Sequence, residues 1–177
     1  MDSVFVDLYT KYHHDVFQFL FYMVRSREQA EDLVQEVYIR VYKSYHRFEG
    51  KSSEKTWLFS IARNVAIDHF RKQKGWKQRI IETFEGTTFQ LKDEHPIPEE
   101  IALQKEELQL MYRCLDLCTI DQRMVLVMRY IHDLSIAETA KVLNWSEGKV
   151  KTTQHRALKA LKKYMVDVEV KEGFVRE

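Results

Sequence analysis

Apolar residues recur along this chain with a helical period. Phe5, Leu8, Tyr9, Tyr12, Val16, Phe17, Leu20 and Phe21 repeat within residues 4–24, which predicts one long helix with an apolar face. Ser26 suits the N-cap of a second helix, and the acids that follow suit the positive end of a helix dipole. The apolar positions Leu33, Val34, Val37 and Val41 keep the period, which fades by Phe48. Glu49-Gly50-Lys51-Ser52-Ser53 reads as a polar loop. A third helix is predicted over about residues 54–74, with Trp57, Leu58, Ile61, Ala62, Val65, Ile67 and Phe70 as its apolar positions and Gly75 as its stop.

Periodicity is lost from 76 to about 100, where Gly86, Pro96 and Pro98 fall, and this stretch reads as a linker. It returns at Ile101 and continues through Leu103, Leu108, Met111 and Leu115. A shorter apolar helix is predicted over 121–131, and residues 134–164 divide into two helices joined by a tight turn. The tail from Val166 has no strong pattern. The predicted fold class is therefore all-α: two small helical domains joined by a flexible linker, the C-terminal one containing a helix-turn-helix. The boundaries are 1–75, an acidic linker at 76–102, a second domain at 103–166 and a tail at 167–177.

Composition narrows the classes. The chain has 177 residues, 45% of them hydrophobic, which allows one domain or two small ones and is too apolar for a disordered chain. Only 5 Gly and 2 Pro occur, which leaves little room for the many turns of an all-β fold. No apolar run approaches the ~18 residues of a membrane span, and the first residues open no signal peptide. Cys114 and Cys118 make no disulfide framework, so a cytoplasmic location is expected, with the two thiols buried and inert.

Charge is segregated beneath a net of +1. Residues 63–79 hold six bases (Arg63, Arg71, Lys72, Lys74, Lys77, Arg79) against Asp68 alone. Residues 146–163 hold six more (Lys149, Lys151, Arg156, Lys159, Lys162, Lys163) against Glu147. Between them, residues 82–107 carry eight acids and only Lys92 and Lys105. Two basic patches flanking an acidic connector suggest two contacts with a polyanion, the plainer alternative being solvated helical faces.

The C-terminal patch has the sharper pattern. Ser135 can cap a helix, Ala140 is small where two helices would cross, Leu143 and Val150 can bury, and Asn144 tolerates the positive φ of a turn. Ser146 then caps a second helix bearing Lys149, Lys151, Thr152, His155 and Arg156. This is a helix-turn-helix whose second helix would enter a DNA major groove. An ordinary helical hairpin would not need the turn residue, the caps and the basic second helix to agree.

In the N-terminal half, the polar loop with Lys51, Ser52 and Ser53 leads into an aromatic, basic helix carrying Arg63, Asn64, Arg71 and Lys72. Such a combination suits the holding of single-stranded bases and their phosphates, although Trp57 and Phe70 belong by default to the core. Upstream, Glu28, Glu31, Asp32, Gln35 and Glu36 make an acidic helical surface that would repel DNA, and that faces either a protein with basic residues or solvent alone. Enzyme chemistry has little to stand on. His13-His14-Asp15 is the only histidine cluster and its spacing makes no one-face metal pair; no phosphate loop or nucleophile elbow occurs. No catalytic residue, metal, cofactor or small-molecule substrate is expected.

Taken together, Ala30-Glu31-Asp32-Leu33-Val34-Gln35-Glu36-Val37, Thr56-Trp57-Leu58, Ile61-Ala62-Arg63-Asn64 and Asp68-His69-Phe70-Arg71-Lys72 resemble the promoter-opening domain of extracytoplasmic-function (ECF) sigma factors. Asp121-Gln122-Arg123, the run from Leu134 to Ala140 and Gly148-Lys149-Val150-Lys151-Thr152 resemble that family's second DNA-binding domain. The resemblance covers nearly the whole chain. It implies a stress- or envelope-responsive bacterial initiation factor that binds core RNA polymerase and directs it to promoters. Lys51, Ser52, Ser53, Arg63, Asn64, Arg71 and Lys72 would then serve −10 recognition and melting. Lys149, Lys151, Thr152, His155 and Arg156 would read the −35 element, and Glu31, Asp32, Gln35 and Glu36 would bind core. The implied partners are the β′ clamp and β flap of polymerase, promoter DNA and an anti-sigma factor, often membrane-bound. Part of the acidic linker, with Glu85, Asp93 and Glu94, would thread into the polymerase cleft as a nucleic-acid mimic, the alternative being a solvated spacer. A conventional helix-turn-helix regulator that binds DNA without polymerase is the alternative. Cys118-Thr119-Ile120 replaces the Leu-Pro with which many members begin the C-terminal motif, and Ser-Glu-Gly-Lys-Val replaces the commoner Pro-x-Gly-Thr-Val. Both departures bear on promoter sequence rather than on the role.

Overall fold

Short polar side chains decide where most of the helices begin. A computed structural model of the chain describes residues 3–83, 99–103 and 105–171. Helix α1 (Ser3–Val24) ends where Arg25 turns left-handed, with φ 58. Ser26 Oγ accepts the Gln29 N–H at 3.3 Å and starts α2 (Arg27–Ser44). After a tight turn at Tyr45–Arg47 and Gly50 at φ 70, Ser53 Oγ accepts the Thr56 N–H at 3.1 Å as α3 (Glu54–Thr83) begins. The short α4 (Glu99–Ala102) and α5 (Glu106–Leu115) follow. Capping boxes open both α6 (Ile120–Leu126), through Thr119 and Gln122, and α7 (Ile136–Leu143), through Ser135 and Glu138. Between them a π-helical segment spans Val127–Ile131. Helix α8 (Glu147–Lys171) starts with the Lys149 N–H bonded to Ser146 Oγ at 3.1 Å.

Three predicted boundaries are corrected. Gly75 does not stop α3, which runs on to Thr83. A glycine ends a helix by turning left-handed, and Gly75 keeps a negative φ; in a helix interior it costs only about 0.5–1 kcal/mol. The single helix predicted from Ile101 is two, because Lys105 takes extended backbone (φ −57, ψ 146). Helix α8 runs to Lys171 through the predicted tail, since its residues are ordinary helix formers and the next breaker is Gly173. Glu85, Asp93 and Glu94 of the acidic linker lie outside the described residues.

Helices α1, α2 and α3 bundle around Val16, Phe19, Leu20, Met23, Val37, Val41, Leu58, Phe59 and Ala62, all fully buried. In the C-terminal half, α6, α7 and α8 close over Val125, Met128, Leu143, Val150 and Ala157. The halves also pack on each other: α3 lies along α7, and the end of α1 meets α6 and the π segment. The pattern of apolar positions could not reveal this contact, because each half has a complete apolar face of its own.

Charged groups sit inside the contact. Arg123 Nη1 donates to the Met23 carbonyl at 2.7 Å and its Nε to the Leu115 carbonyl at 3.1 Å. Both carbonyls lie in the last turn of a helix, α1 and α5, where no intrahelical donor exists. One guanidinium thus caps helices from both halves. Arg25 ion-pairs with Asp116 and lies 4.2 Å over the Tyr112 ring, which in turn packs against Phe21 and Tyr22. Asp116 also reaches Arg123 at 3.6 Å. Two buried cations share this carboxylate. Asp116→Ala is expected to lower stability in urea by about 1–3 kcal/mol, because it leaves buried charge uncompensated. Glu36→Ala, which breaks an exposed intrahelical pair, should cost about 0.5 kcal/mol or less. Equal losses would show that the buried cluster does not hold the halves together.

Candidate nucleic-acid interface

The turn between α7 and α8 is built as the sequence requires. Asn144 adopts left-handed backbone (φ 55, ψ 45), and the Trp145 N–H bonds back to the Ala140 carbonyl at 3.0 Å. Val150, Ala157 and Leu161 form the buried stripe of α8. Lys151, Thr152, His155 and Arg156 are all exposed on the opposite side, two adjacent pairs one turn apart. Lys149 is exposed at the start of the helix, with its ammonium 4.0 Å above the Trp145 ring. The five C-terminal candidates therefore gather on one accessible surface. A helix N-terminus free of acids beyond Glu147 and rimmed by cations can approach phosphates and present side chains to base edges.

The N-terminal candidates are more dispersed. Lys51 is exposed and paired with Glu49. Ser53 is engaged in capping, its Oγ also bonding Thr56 Oγ1 at 2.9 Å. Ser52 is half-buried, its hydroxyl 3.4 Å from the Ser53 carbonyl. Arg63 Nη1 donates to Asn64 Oδ1 at 2.9 Å, and Asn64 itself is exposed. Asn64 and Arg71 lie seven residues apart on one stripe of α3, and Lys72 adjoins them. Trp57 and Phe70 are half-buried against the core. His69, behind this face, is pushed below the usual imidazole range by burial and then by Lys72.

On α2, Glu31, Asp32 and Gln35 are exposed and Glu36 half-exposed along one face, as expected. Their charge is partly answered within the helix. Glu31 pairs with Arg27 at 3.1 Å and Glu36 with Arg40 at 2.9 Å, and Arg40 bridges onward to Asp68 of α3 at 3.0 Å. Partial burial works against the Arg40 charge, but the hydrogen bonds to Glu36 and Asp68 outweigh it and raise its pKa. Asp32 and Gln35 complete this face as exposed acidic and polar groups. Sequence reasoning assigned no role to Arg25, Asp116, Arg123, Arg129 or His132. The available signal was charged residues inside otherwise apolar runs. Among the described residues, no group of three or more His, Cys, Asp or Glu side chains could hold a metal, and no helix is long and apolar enough to cross a membrane.

Both halves match known protein families. Residues 8–75 match the Sigma-70 region 2 family, and residues 108–161 match Sigma-70, region 4. The chain is 58% identical over 165 residues to the ECF RNA polymerase sigma factor SigX of Bacillus subtilis, covering 93% of this chain and 85% of that one. It is 31% identical over 170 residues to the ECF RNA polymerase sigma factor SigW of the same organism, covering 94% and 91%. Among solved structures, it is similar to the sigma factor RpoE of Bartonella quintana in complex with the anti-sigma factor NepR. That likeness has a TM-score of 0.72 at 22% identity and covers 93% of this chain and 98% of the other.

Where the two halves meet, His132 is buried between Phe59, 4.9 Å away, and Phe19, 6.4 Å away. Its carbonyl accepts from Lys55 Nζ at 3.0 Å, and its ring Nε2 has no hydrogen-bond partner among the described residues. Burial is the main cause that lowers its pKa to about 4; Lys55 and His14 add to this, while Asp15 and Asp133 oppose it. A folded-state value below the unfolded one means that the folded ring resists protonation. The stability is then fully present above about pH 6.5 and lost as pH falls toward 4. Between pH 7 and pH 5 this should remove about 2 kcal/mol of unfolding free energy in urea, and His132→Phe should flatten that dependence. An unchanged slope in the variant would show that His132 is not the group responsible.

Proposed function

The chain belongs to the ECF RNA polymerase sigma factors, and from that premise we propose which of its residues meet polymerase and which meet promoter DNA. As a sigma factor it directs RNA polymerase to promoters and initiates transcription; a conventional regulator that acts without polymerase is not favoured. We propose residues 1–75 as the unit for core binding and −10 melting, 76–102 as its connector, and 103–166 as the unit that reads the −35 element. The role is regulatory; the proposal assigns the chain no catalysis and a place in the cytoplasm beside polymerase.

One observation carries the DNA assignment: Lys151, Thr152, His155 and Arg156 share the exposed face of a helix that starts from a capped, left-handed turn. Their opposite face is fixed by burial, so their direction is determined. In the N-terminal half, Asn64 is the proposed base reader, with Arg63 orienting its amide and Arg71 and Lys72 on the backbone. Lys51 and Ser52 remain in the proposed loop contact, and Ser53 supports that loop as a cap. Glu31, Asp32, Gln35 and Glu36 are assigned to core. Bartonella quintana RpoE has been solved with an anti-sigma factor, which supports an inhibitor of that kind here.

The packing of the halves bears on this reading. Elements named −10 and −35 lie roughly 25 base pairs apart, about 85 Å along B-DNA at about 3.4 Å per pair. A folded chain of this length has a radius of gyration of only about 16 Å. A single chain occupying both elements must therefore open the contact made by Arg123, Arg25 and His132, and the packed form is assigned to the protein off DNA. Fluorescent labels at the exposed Thr10 and Lys163 should move apart when core and promoter are added to the full chain. A constant distance would overturn this assignment.

Run-off transcription with purified core polymerase tests the function directly. Reversing Asp32 and Glu36 to Lys should abolish co-purification with core while leaving the circular dichroism spectrum unchanged; normal holoenzyme assembly would refute the core-binding face. Asn64→Ala should bind core normally yet reduce strand opening in permanganate footprinting, since extruding a base costs a few kcal/mol that positioned groups must offset.

A further inference from the structure

Gln154 is the polar member of the inward stripe of α8, half-buried beside Val150, Ala157 and Leu161. Its amide oxygen accepts from Arg129 Nε at 2.8 Å. The Nη1 of the same guanidinium donates to the Leu134 carbonyl, immediately before the Ser135 N-cap of α7. Arg129 itself rides on the π-helical segment Val127–Ile131. One side chain thus ties together three elements: the π segment, the start of the first helix of the motif and the second helix.

We propose that Arg129 is a positioning residue for promoter reading, setting the rotation of α8 against α7 through Gln154. The proposal rests on the assignment of α8 to the −35 element. Apolar contact between helices is non-directional, so Val150, Ala157 and Leu161 hold α8 in place without fixing its rotation closely. A hydrogen bond has a required direction, and a planar guanidinium carries its donors in a rigid fork. With one donor committed to Leu134, the line of the other is set, and Gln154 must meet it. Gln154 is followed directly by His155 and Arg156 and preceded within three residues by Lys151 and Thr152. A helix rotation of about 5° moves tips roughly 6 Å from its axis by about 0.5 Å, which reaches the positional tolerance of a recognition constellation. The π segment, a form found often at functional sites, is what delivers Arg129 to this corner.

The test uses the full chain with core polymerase and a promoter library randomised at the −35 element, the transcribed sequences being counted. Gln154→Leu suits the buried stripe and removes only the acceptor; Arg129→Lys keeps the charge and removes the fork. Each should broaden the recovered sequences, lowering the preference for the best over the median element about tenfold, the size of one good base contact. Gln154→Glu, which keeps the acceptor, should retain the preference. A purely structural role would instead lower the melting temperature and the yield from every promoter alike, with the distribution unchanged, and that result overturns the proposal. Arg156→Ala serves as the reference. If it shifts the distribution while Gln154→Leu and Arg129→Lys do not, Arg129 is not a positioning residue and α8 remains the reader. If Arg156→Ala also leaves the distribution unchanged, the assignment of α8 fails, and the proposal with it.

Discussion

The arrangement of this molecule turns on helix ends. Terminal carbonyls without intrahelical donors must find partners when they are buried. Here the ends of α1 and α5 share one partner, the guanidinium of Arg123, which bonds the Met23 carbonyl and joins the Cys118 N–H on the Leu115 carbonyl. The negative end of a helix dipole favours a cation, so the contact is electrostatic as well as geometric. Around it, Arg25, Asp116 and Tyr112 supply one carboxylate and one aromatic face for two buried positive charges. Burial, and then the neighbouring Arg25, lowers the Arg123 pKa, a sign of how little water reaches the site.

A contact of this kind holds without being permanent. Replacing buried ion pairs by apolar groups often stabilises proteins, because desolvation nearly cancels the attraction. An interface made of Arg25, Arg123, Lys55 and His132 regains hydration when it opens, whereas one made only of leucines would not. This suits the proposed separation of the two halves on DNA. Helix α3, which follows the proposed melting loop, packs on α7, and Lys55 near its start bonds the His132 carbonyl. Under the proposed assignments, the packed form and promoter engagement compete for the same helices.

The surfaces divide by how their charge is answered. On α2 the acids are moderated by Arg27 and Arg40, and Arg40 also fixes α2 to α3 through Asp68. On α8 the basic residues Lys151, Arg156 and Lys159 stay exposed, and Lys149 is held over Trp145. Partly neutralised acid is consistent with a protein partner approached at close range, and exposed base with the high charge density of a phosphate backbone.

Much of this was legible in the sequence because it depends on neighbours a few residues apart. The period of apolar positions located α1 and α2, Ser26, Ser135 and Ser146 marked helix starts, and Asn144 marked the left-handed turn, since caps and turns are set by local hydrogen bonds and backbone sterics. The outward face of Lys151, Thr152, His155 and Arg156 followed from the burial of Val150 and Ala157. Gly75 misled because a glycine permits a left-handed stop without requiring one. What only the tertiary structure decided were the long-range polar contacts: Arg123 to Met23 across 100 residues, Lys55 to His132 across 77, and Arg129 to Gln154 across 25. An isolated Arg or His in an apolar run says that a buried partner is needed. Which carbonyl or carboxylate answers it depends on where distant helix ends meet, and no local pattern encodes that.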